Sequence, residues 1–530
     1  MSTTRIPRTA PGSEPIAARD PGSTLAADWH RGAFMQIFVR AYQDSDDDGI
    51  GDLRGLISRL DYLAELGVRG LWLMPIHPCQ DGDHGYAVTD YRAINPDYGT
   101  LEDFDELLRQ AHARGIGVII DYLINHSAAK HPLFMASRSD RDSVYRDWYL
   151  WHDEAPAGWQ IYGADPWRRD ETGAYFAAFS SHMPDFNWRH PDVAAWHHDN
   201  LRFWLNRGVD GFRFDAVGHL VENGPDAWDC QPENLGVMAT IRKLLDGYAQ
   251  RFMVCEIPGE PQCYAAGAGS AFAFDLNGAL VGAARGDAAS LRQVASYFDD
   301  APHTISTLLS NHDSFAGRRV FDQLGGDEAR CKLAAAMLLL LPGTPFLYYG
   351  EEVGMAGLHT LQPDPALRTP MSWSADAAHA GFSRVPPFRA LAPNAATHNV
   401  QTQLGCQASA LPLSSLSSLS SLLSSPSLLG FYRAMIGLRN RHPAIRHGSY
   451  ESATAGLEAG VFVFHRRLAA EHIVVAINTG ASRADLVVDA LAPGMLLRSL
   501  YPASAPGLAA DAQGQAQAAV APFSVAVFGR

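Results

Sequence analysis

Three carboxylates stand at the ends of short apolar runs: Asp215 in DGFRFDAVGHL (residues 210–220), Glu256 in FMVCEI (252–257) and Asp313 just after TISTLLSN (304–311). An aspartate and a glutamate from neighbouring strands suit glycoside hydrolysis, in which one carboxylate attacks the anomeric carbon and the other protonates the leaving oxygen. Arg213 precedes Asp215 by two positions, so strand alternation points both to one face, where the guanidinium keeps the aspartate ionised. Taken alone, such a pair is as readily a buried ion pair or a helix cap. Three carboxylates at three strand ends favour a site. Asp121, Asn125, His126, Asn311 and His312 occupy strand ends of the same kind.

A second acidic group, DSDDDGIGD at 44–52, sets Asp44, Asp46, Asp48 and Asp52 among glycines, in the manner of the first nine positions of an EF-hand loop. Such a loop binds Ca²⁺ or Mg²⁺ with the Ile50 carbonyl as an extra ligand. By composition alone, a solvated acidic turn is the plainer account.

The elements that must position these residues read as a barrel. Eight β-rich runs, at 34–39, 70–76, 116–123, 211–217, 252–257, 271–276, 304–311 and 344–352, alternate with helical patterns such as DLRGLISRLDYLAELG. This is the signature of an α/β (β/α)8 TIM barrel, whose chemistry gathers where strands run into βα loops. The barrel is expected over 29–126 and 190–440, with a subdomain rich in Trp, Tyr, His and Asp inserted after the third strand at 127–189. Alternating runs after 445 predict a C-terminal antiparallel β-sandwich domain over 445–530. Residues 1–28 read as a disordered leader. The Ser-Ser-Leu repeat at 411–428 reads as a flexible surface insertion with no catalytic role.

Several of these motifs together resemble the α-amylase family of glycoside hydrolases, family 13. DYLINHS, GFRFDAVGH, CEIP and LLSNHD look like the family's four conserved regions in order and spacing, and MPDFN (183–187) and GVRGLWLMPIHP (67–78) look like its supplementary ones. The resemblance runs from about residue 30 into the C-terminal domain. It implies a retaining double displacement, with Asp215 as nucleophile, Glu256 as general acid/base and Asp313 as the residue that grips ring hydroxyls. It further implies substrate contacts from His126, His312, Arg213 and Tyr86, from His219 on the leaving-group side, and from Asp364 and Arg368 in PDPALR. Many oligosaccharide-cleaving members carry a calcium loop similar to DSDDDGIGD, so a structural Ca²⁺ or Mg²⁺ is implied at Asp44, Asp46, Asp48, Ile50 and Asp52. For the family's other calcium site, Asn125 is the one clear match.

Ala216 after the nucleophile resembles members specific for α-1,4 bonds, whereas valine there resembles α-1,6-specific ones. MPDFN resembles the group intermediate between oligo-1,6-glucosidases and neopullulanases. Gly218 stands where many amylases and cyclodextrin glucanotransferases have lysine, which disfavours a long acceptor-side chain. The resemblance thus implies hydrolysis of maltooligosaccharides through a covalent glucosyl-enzyme, with transglycosylation as a companion reaction. A glucanotransferase or α-glucosyltransferase, and an inactive relative serving as a binding subunit, are the rival readings. A metal-dependent hydrolase fits poorly, because His126 and His312 form no close ligand motif.

Composition narrows the classes further. Over 530 residues, 47% are apolar and 19% charged, and the formal charge of −15 is spread along the chain, which disfavours nucleic acid and anionic membrane as partners. The longest apolar run, LAAAMLLLL at 333–341, is too short to span a bilayer and reads as a buried helix. The first thirty residues lack the apolar stretch of about seven residues that a secretory signal requires. Six scattered cysteines without a C-x-x-C pair suit reduced thiols, so a cytoplasmic enzyme is expected.

Overall fold

The computed structural model describes residues 15–81, 85–405, 427–453 and 455–530. The chain divides into two compact units: Met1–Ala27 with Trp72–Phe272, and Asp28–Leu71 with Ala273–Arg530.

In the first unit the strands Gly117–Leu123, Gly211–Asp215 and Phe252–Cys255 run parallel, with Leu123 opposite Asp215 and Phe214 opposite Cys255. Every residue of the three is buried, as expected of strands covered on both faces. Gly211 is obligatory at this junction, because a Cβ there would lie 1.8 Å from the Phe252 carbonyl oxygen. Helices Leu101–Ala113 and Pro191–Arg207 flank the strands. The first opens on a reciprocal Thr100–Asp103 capping box, and the second starts with proline and stops at left-handed Gly208. The inserted segment folds as helix Pro132–Ser139 and a three-stranded antiparallel sheet centred on Gly173–Phe176. Ile161, Trp167, Ala174, Phe176 and Ala178 form its small core.

The second unit holds the parallel strands Phe34–Ile37, Thr344–Tyr348 and Ser306–Leu308, in register at Phe34 with Phe346 and at Thr344 with Ser306. The helix Glu328–Leu340, which contains most of the LAAAMLLLL run, is buried nearly all round, as its composition predicts. From Ser449 onward a six-stranded and a two-stranded antiparallel sheet share one apolar core, in which Val474 and Phe528 of the first meet Val488 and Val520 of the second. Seven parallel strands, Gly70–Leu73 included, place the chain in the (β/α)8 barrel class with a C-terminal β-domain.

Two expectations need correction. The run at 271–276 pairs at its start, where Ala271 bridges Cys255 in parallel and the Phe272 amide donates to the Cys255 carbonyl (3.0 Å), and Phe274–Ala284 is helical. Leu276, Leu280 and Ala283 recur there at three and four and are buried, so helical packing overrides the alternation of AFAF. Residues 15–27 of the expected disordered leader lie in place along the first unit. The Ile16 amide donates to Asp199 (3.0 Å), the Arg19 amide to Asn206 (2.8 Å), and Arg251 to the Gly22 carbonyl (3.0 Å). Residues 1–14 and most of the Ser-Leu repeat lie outside the described residues, and Ser427 at its end caps helix Leu428–Arg441. Among the described residues, no helix is long and apolar enough to cross a membrane.

Candidate active site

In the first unit the ends of three parallel strands converge on one guanidinium. Arg213 Nη1 lies 2.7 Å from Asp121 Oδ1 and 2.7 Å from Asp215 Oδ1, while Nη2 lies 2.6 Å from Glu256 Oε1. The parallel register explains the convergence. Asp121 sits opposite Arg213, and Glu256 follows Cys255 at the end of the next strand. Asp215 and Glu256 also share a hydrogen bond. Just beyond Asp215, Ala216 takes a left-handed conformation (φ 50°), which turns its amide to donate to Glu256 Oε2 at 3.1 Å. Tyr86 donates to Asp121 (3.1 Å), and Trp72 does so through its indole nitrogen (3.2 Å).

Burial dominates the electrostatics. It pushes the Glu256 carboxyl up to about 7 against the pull of Arg213, and Asp121 up to about 6 against the same guanidinium. A glutamic acid that titrates near neutrality, beside an aspartate held by arginine, is the asymmetry that acid/base chemistry at a sugar requires. Burial also holds His126 and His219 down to about 4, so both rings are neutral at pH 7. His126 Nε2 lies 3.1 Å from the Tyr86 carbonyl oxygen.

His219 sits in an aromatic group. It stacks on Trp228 (centroids 5.4 Å apart, planes at 14°), meets Phe179 edge-on at 5.2 Å, and shares a hydrogen bond with the Tyr162 hydroxyl (2.8 Å). Tyr162 and Phe179 come from the inserted segment, and the sequence motifs assign a role to none of the three aromatics. A Tyr-Gly pair in a tight turn (Tyr162–Gly163) is the signal that could have drawn notice to one of them. At Gly218 a Cβ would come within 2.8 Å of Ile257, so a larger side chain here requires Ile257 to shift.

The second unit carries the other group. Asp313 is 3.0 Å from Arg368 Nη2 and 3.0 Å from His312 Nε2, and the latter ring is held from behind by Gln36 at 2.7 Å. Asp364 accepts from the Ser314 amide (2.8 Å) and stands 3.6 Å from Arg368. The structure therefore brings together Tyr86, Asp121, Arg213, Asp215 and Glu256 in one unit, and His312, Asp313, Asp364 and Arg368 in the other.

The acidic loop also lies in the second unit. Carboxylate oxygens of Asp44, Asp46 and Asp48 lie within 4.8 Å of one another, one side chain buried and two exposed. Asp46 is pushed up by burial and then by the charges of Asp48, Asp52 and Asp44. Asp44 accepts from the amides of Asp46, Asp47 and Gly49, which wraps the loop around it. Asp52 is otherwise engaged: it accepts from Ser45 and caps helix Leu53–Ser58 through the Gly55 amide (2.8 Å).

Residues 36–448 match the sequence model of the alpha amylase catalytic domain. Alpha-amylase 3 of Dictyoglomus thermophilum is 36% identical over 360 residues, covering 66% of this chain and 68% of that protein. Trehalose synthase/amylase of Mycobacterium tuberculosis is 32% identical over 522 residues, covering 86% and 82%. An oligo-1,6-glucosidase of Parageobacillus thermoglucosidasius is 29% identical over 530 residues, covering 85% and 90%. Among solved structures, the alpha-glucosyl transfer enzyme XgtA superposes with a TM-score of 0.78 at 28% identity, covering 94% of this chain and 99% of that one. The alpha-amylase from H. orenii gives 0.76 at 31% identity, with the same coverage.

Proposed function

Because this chain belongs to the α-amylase family of glycosidases and transglucosylases, we propose that it is a retaining enzyme cleaving α-1,4-linked glucooligosaccharides, and that it passes the glucosyl group to water or to a sugar. The observation that carries this reading is the shared guanidinium. Arg213 holds Asp215 and Glu256 side by side and hydrogen-bonded to each other. Two carboxyls held on one guanidinium suit a nucleophile and an acid/base, whereas inversion needs room for a water molecule between them.

In this reading Glu256 enters protonated and gives its proton to the glycosidic oxygen while Asp215 attacks the anomeric carbon and forms the glucosyl ester. Glu256, now ionised, takes the proton of the incoming hydroxyl, whose oxygen displaces Asp215 and restores the enzyme. Arg213 and Asp121 fix the position of the nucleophile. Asp313 grips ring hydroxyls, oriented by Arg368 and His312, with Asp364 next to that arginine; Tyr86 and His126 take part in sugar binding beside Asp121 and Arg213. Ala216 supports α-1,4 over α-1,6 bonds.

Trehalose synthase and glucosyl-transfer enzymes among the relatives support a second reading in which transfer predominates. Chromatography of products from maltose, maltotriose, cyclodextrin, isomaltose and sucrose, offered separately, tests both. Early release of the α-anomer supports retention, and cleavage of none of them defeats the proposal in favour of an inactive binding subunit.

We also assign a structural Ca²⁺ to the loop. The donor set fits, since Asp44, Asp46 and Asp48 converge as hard oxygen ligands and the neighbouring carboxylates push Asp46 up. The Ile50 carbonyl joins them in this proposal, and Asp52 supports the loop as a helix cap. The ion would supply positive charge to hold the turn, and no step of the reaction runs through it.

A further inference from the structure

In the second unit, arginines gather with few carboxylates to neutralise them. Arg439 and Arg466 are fully buried and Arg446 nearly so. Arg439, from helix Leu428–Arg441, directs its donors to backbone: Nε to the Arg31 carbonyl (2.9 Å), Nη1 to those of Leu339 (3.0 Å) and Leu341 (3.3 Å), and Nη2 to that of Gly343. Arg31 Nη1 in turn donates to the His303 carbonyl (2.6 Å). Among the described residues, Arg446 alone of these four arginines has a carboxylate partner, Asp28 at 2.9 Å, which His447 also holds at 3.0 Å.

Arg466 stands on strand Val461–Leu468, opposite Tyr450 of strand Ser449–Ala453. Its Nη2 donates to the Gly448 carbonyl (3.0 Å), whereas Nε and Nη1 are buried with no hydrogen-bond partner. Three of the five N–H groups of this guanidinium, one on Nε and two on Nη1, thus have no acceptor among the described residues. Burial pushes Arg466 down to about 10, which leaves it cationic at neutral pH. Burial also lowers Arg439, and the charges of Arg466, Arg446 and Arg31 lower it further. His303 is lowered by burial too, with the charges of Arg466 and Arg31 adding to it. A buried charge without a counter-ion is strongly destabilising, and buried donors without acceptors add to that cost.

We propose that this group is an anion site: a chloride ion, held by Nε and Nη1 of Arg466 in the positive field of Arg439 and Arg31, ties strand Val461–Leu468 to helix Leu428–Arg441. The ion belongs on Arg466 because the donors of Arg439 are already taken by carbonyls. A guanidinium is always charged and weakly hydrated, so it suits a monovalent anion that sheds its own water readily. These nitrogens are shut off from solvent, which favours a monatomic ion over an organic acid.

The test uses the full chain at constant sodium concentration, with chloride replacing gluconate over two decades, and reads Tm by calorimetry. Above the Kd of the site, Tm is expected to climb by about 1 °C per tenfold increase in chloride. Arg466→Met keeps an apolar stem and removes the donors, and is expected to lose that slope. Crystals grown with bromide in place of chloride are expected to show an anomalous scattering peak within hydrogen-bond reach of Arg466 Nε and Nη1, a result that needs no variant to fold. A Tm indifferent to chloride, an equal slope in Arg466→Met, or no bromide peak at Arg466 overturns the site.

Discussion

Asp215 with Glu256 in the first unit, and Glu351 with Glu352 in the second, are both buried acidic pairs just past a parallel strand, yet they are housed in opposite ways. The first is clamped by Arg213. The second has tyrosines: Glu351 accepts from Tyr432 (2.8 Å) and Glu352 from Tyr62 (2.7 Å), and each keeps one buried oxygen without a hydrogen-bond partner. Burial pushes Glu351 up to about 8, further than Glu256. A displaced pKa therefore does not mark the site by itself. What distinguishes the first pair is a cation that holds its carboxylates together, whereas burial raises both members of the second with phenols as their side-chain partners. The acidic loop is a third arrangement, in which one buried and two exposed carboxylates crowd together with no arginine among the three, the place proposed above for Ca²⁺.

The sharpest way to break this contrast is exchange for the isosteric amide. Glu256→Gln is expected to lower turnover of p-nitrophenyl α-maltoside by about 10²–10⁴-fold with Tm unchanged, and Glu351→Gln to leave turnover within a few-fold. Equal losses in the two variants would dissolve the distinction. Next in size, Arg213→Met strands Asp121, Asp215 and Glu256 without their cation and should cost about 3–5 kcal/mol in urea denaturation.

The two pairs also predict different responses to pH. The Glu256 limb should lower kcat above about pH 7. For Glu351, the unfolded carboxyl releases its proton near its ordinary 4.5 and the native one holds it to about 8, so stability is full at low pH and falls across that window. Glu351→Gln should flatten the fall by on the order of 3 kcal/mol in denaturation midpoints between pH 5 and 8.5, leaving the kcat limb in place. Smallest is the metal effect. Above its Kd, each tenfold rise in free Ca²⁺ should add about 1.4 kcal/mol to stability. Asp46→Ala with Asp48→Ala should remove that dependence in calorimetry.

Much of this was legible because strand alternation and parallel register are local rules. They are enough to place Arg213 and Asp215 on one face and to put Glu256 at the end of the neighbouring strand. They fail at 271–276, where AFAF alternates but the apolar residues after it recur at helical spacing. They are silent on Tyr162 and Phe179, which meet His219 only through the folding of a long insertion, and on Trp228, which reaches it from the loop after the Asp215 strand. The leader misled for a related reason: its polar, proline-rich composition forms no core of its own, yet its backbone finds partners on Asp199, Asn206 and Arg251.

Three carboxylates around one guanidinium leave a surplus of negative charge, at least one unit with Glu256 protonated and two once it ionises, and the neutral rings of His126 and His219 do nothing to cancel it. A phosphorylated sugar approaching this group would carry its own charge into that surplus. A protonated amino sugar would meet the reverse. Under the function proposed above, that surplus disfavours a sugar phosphate at this group before any linkage is read.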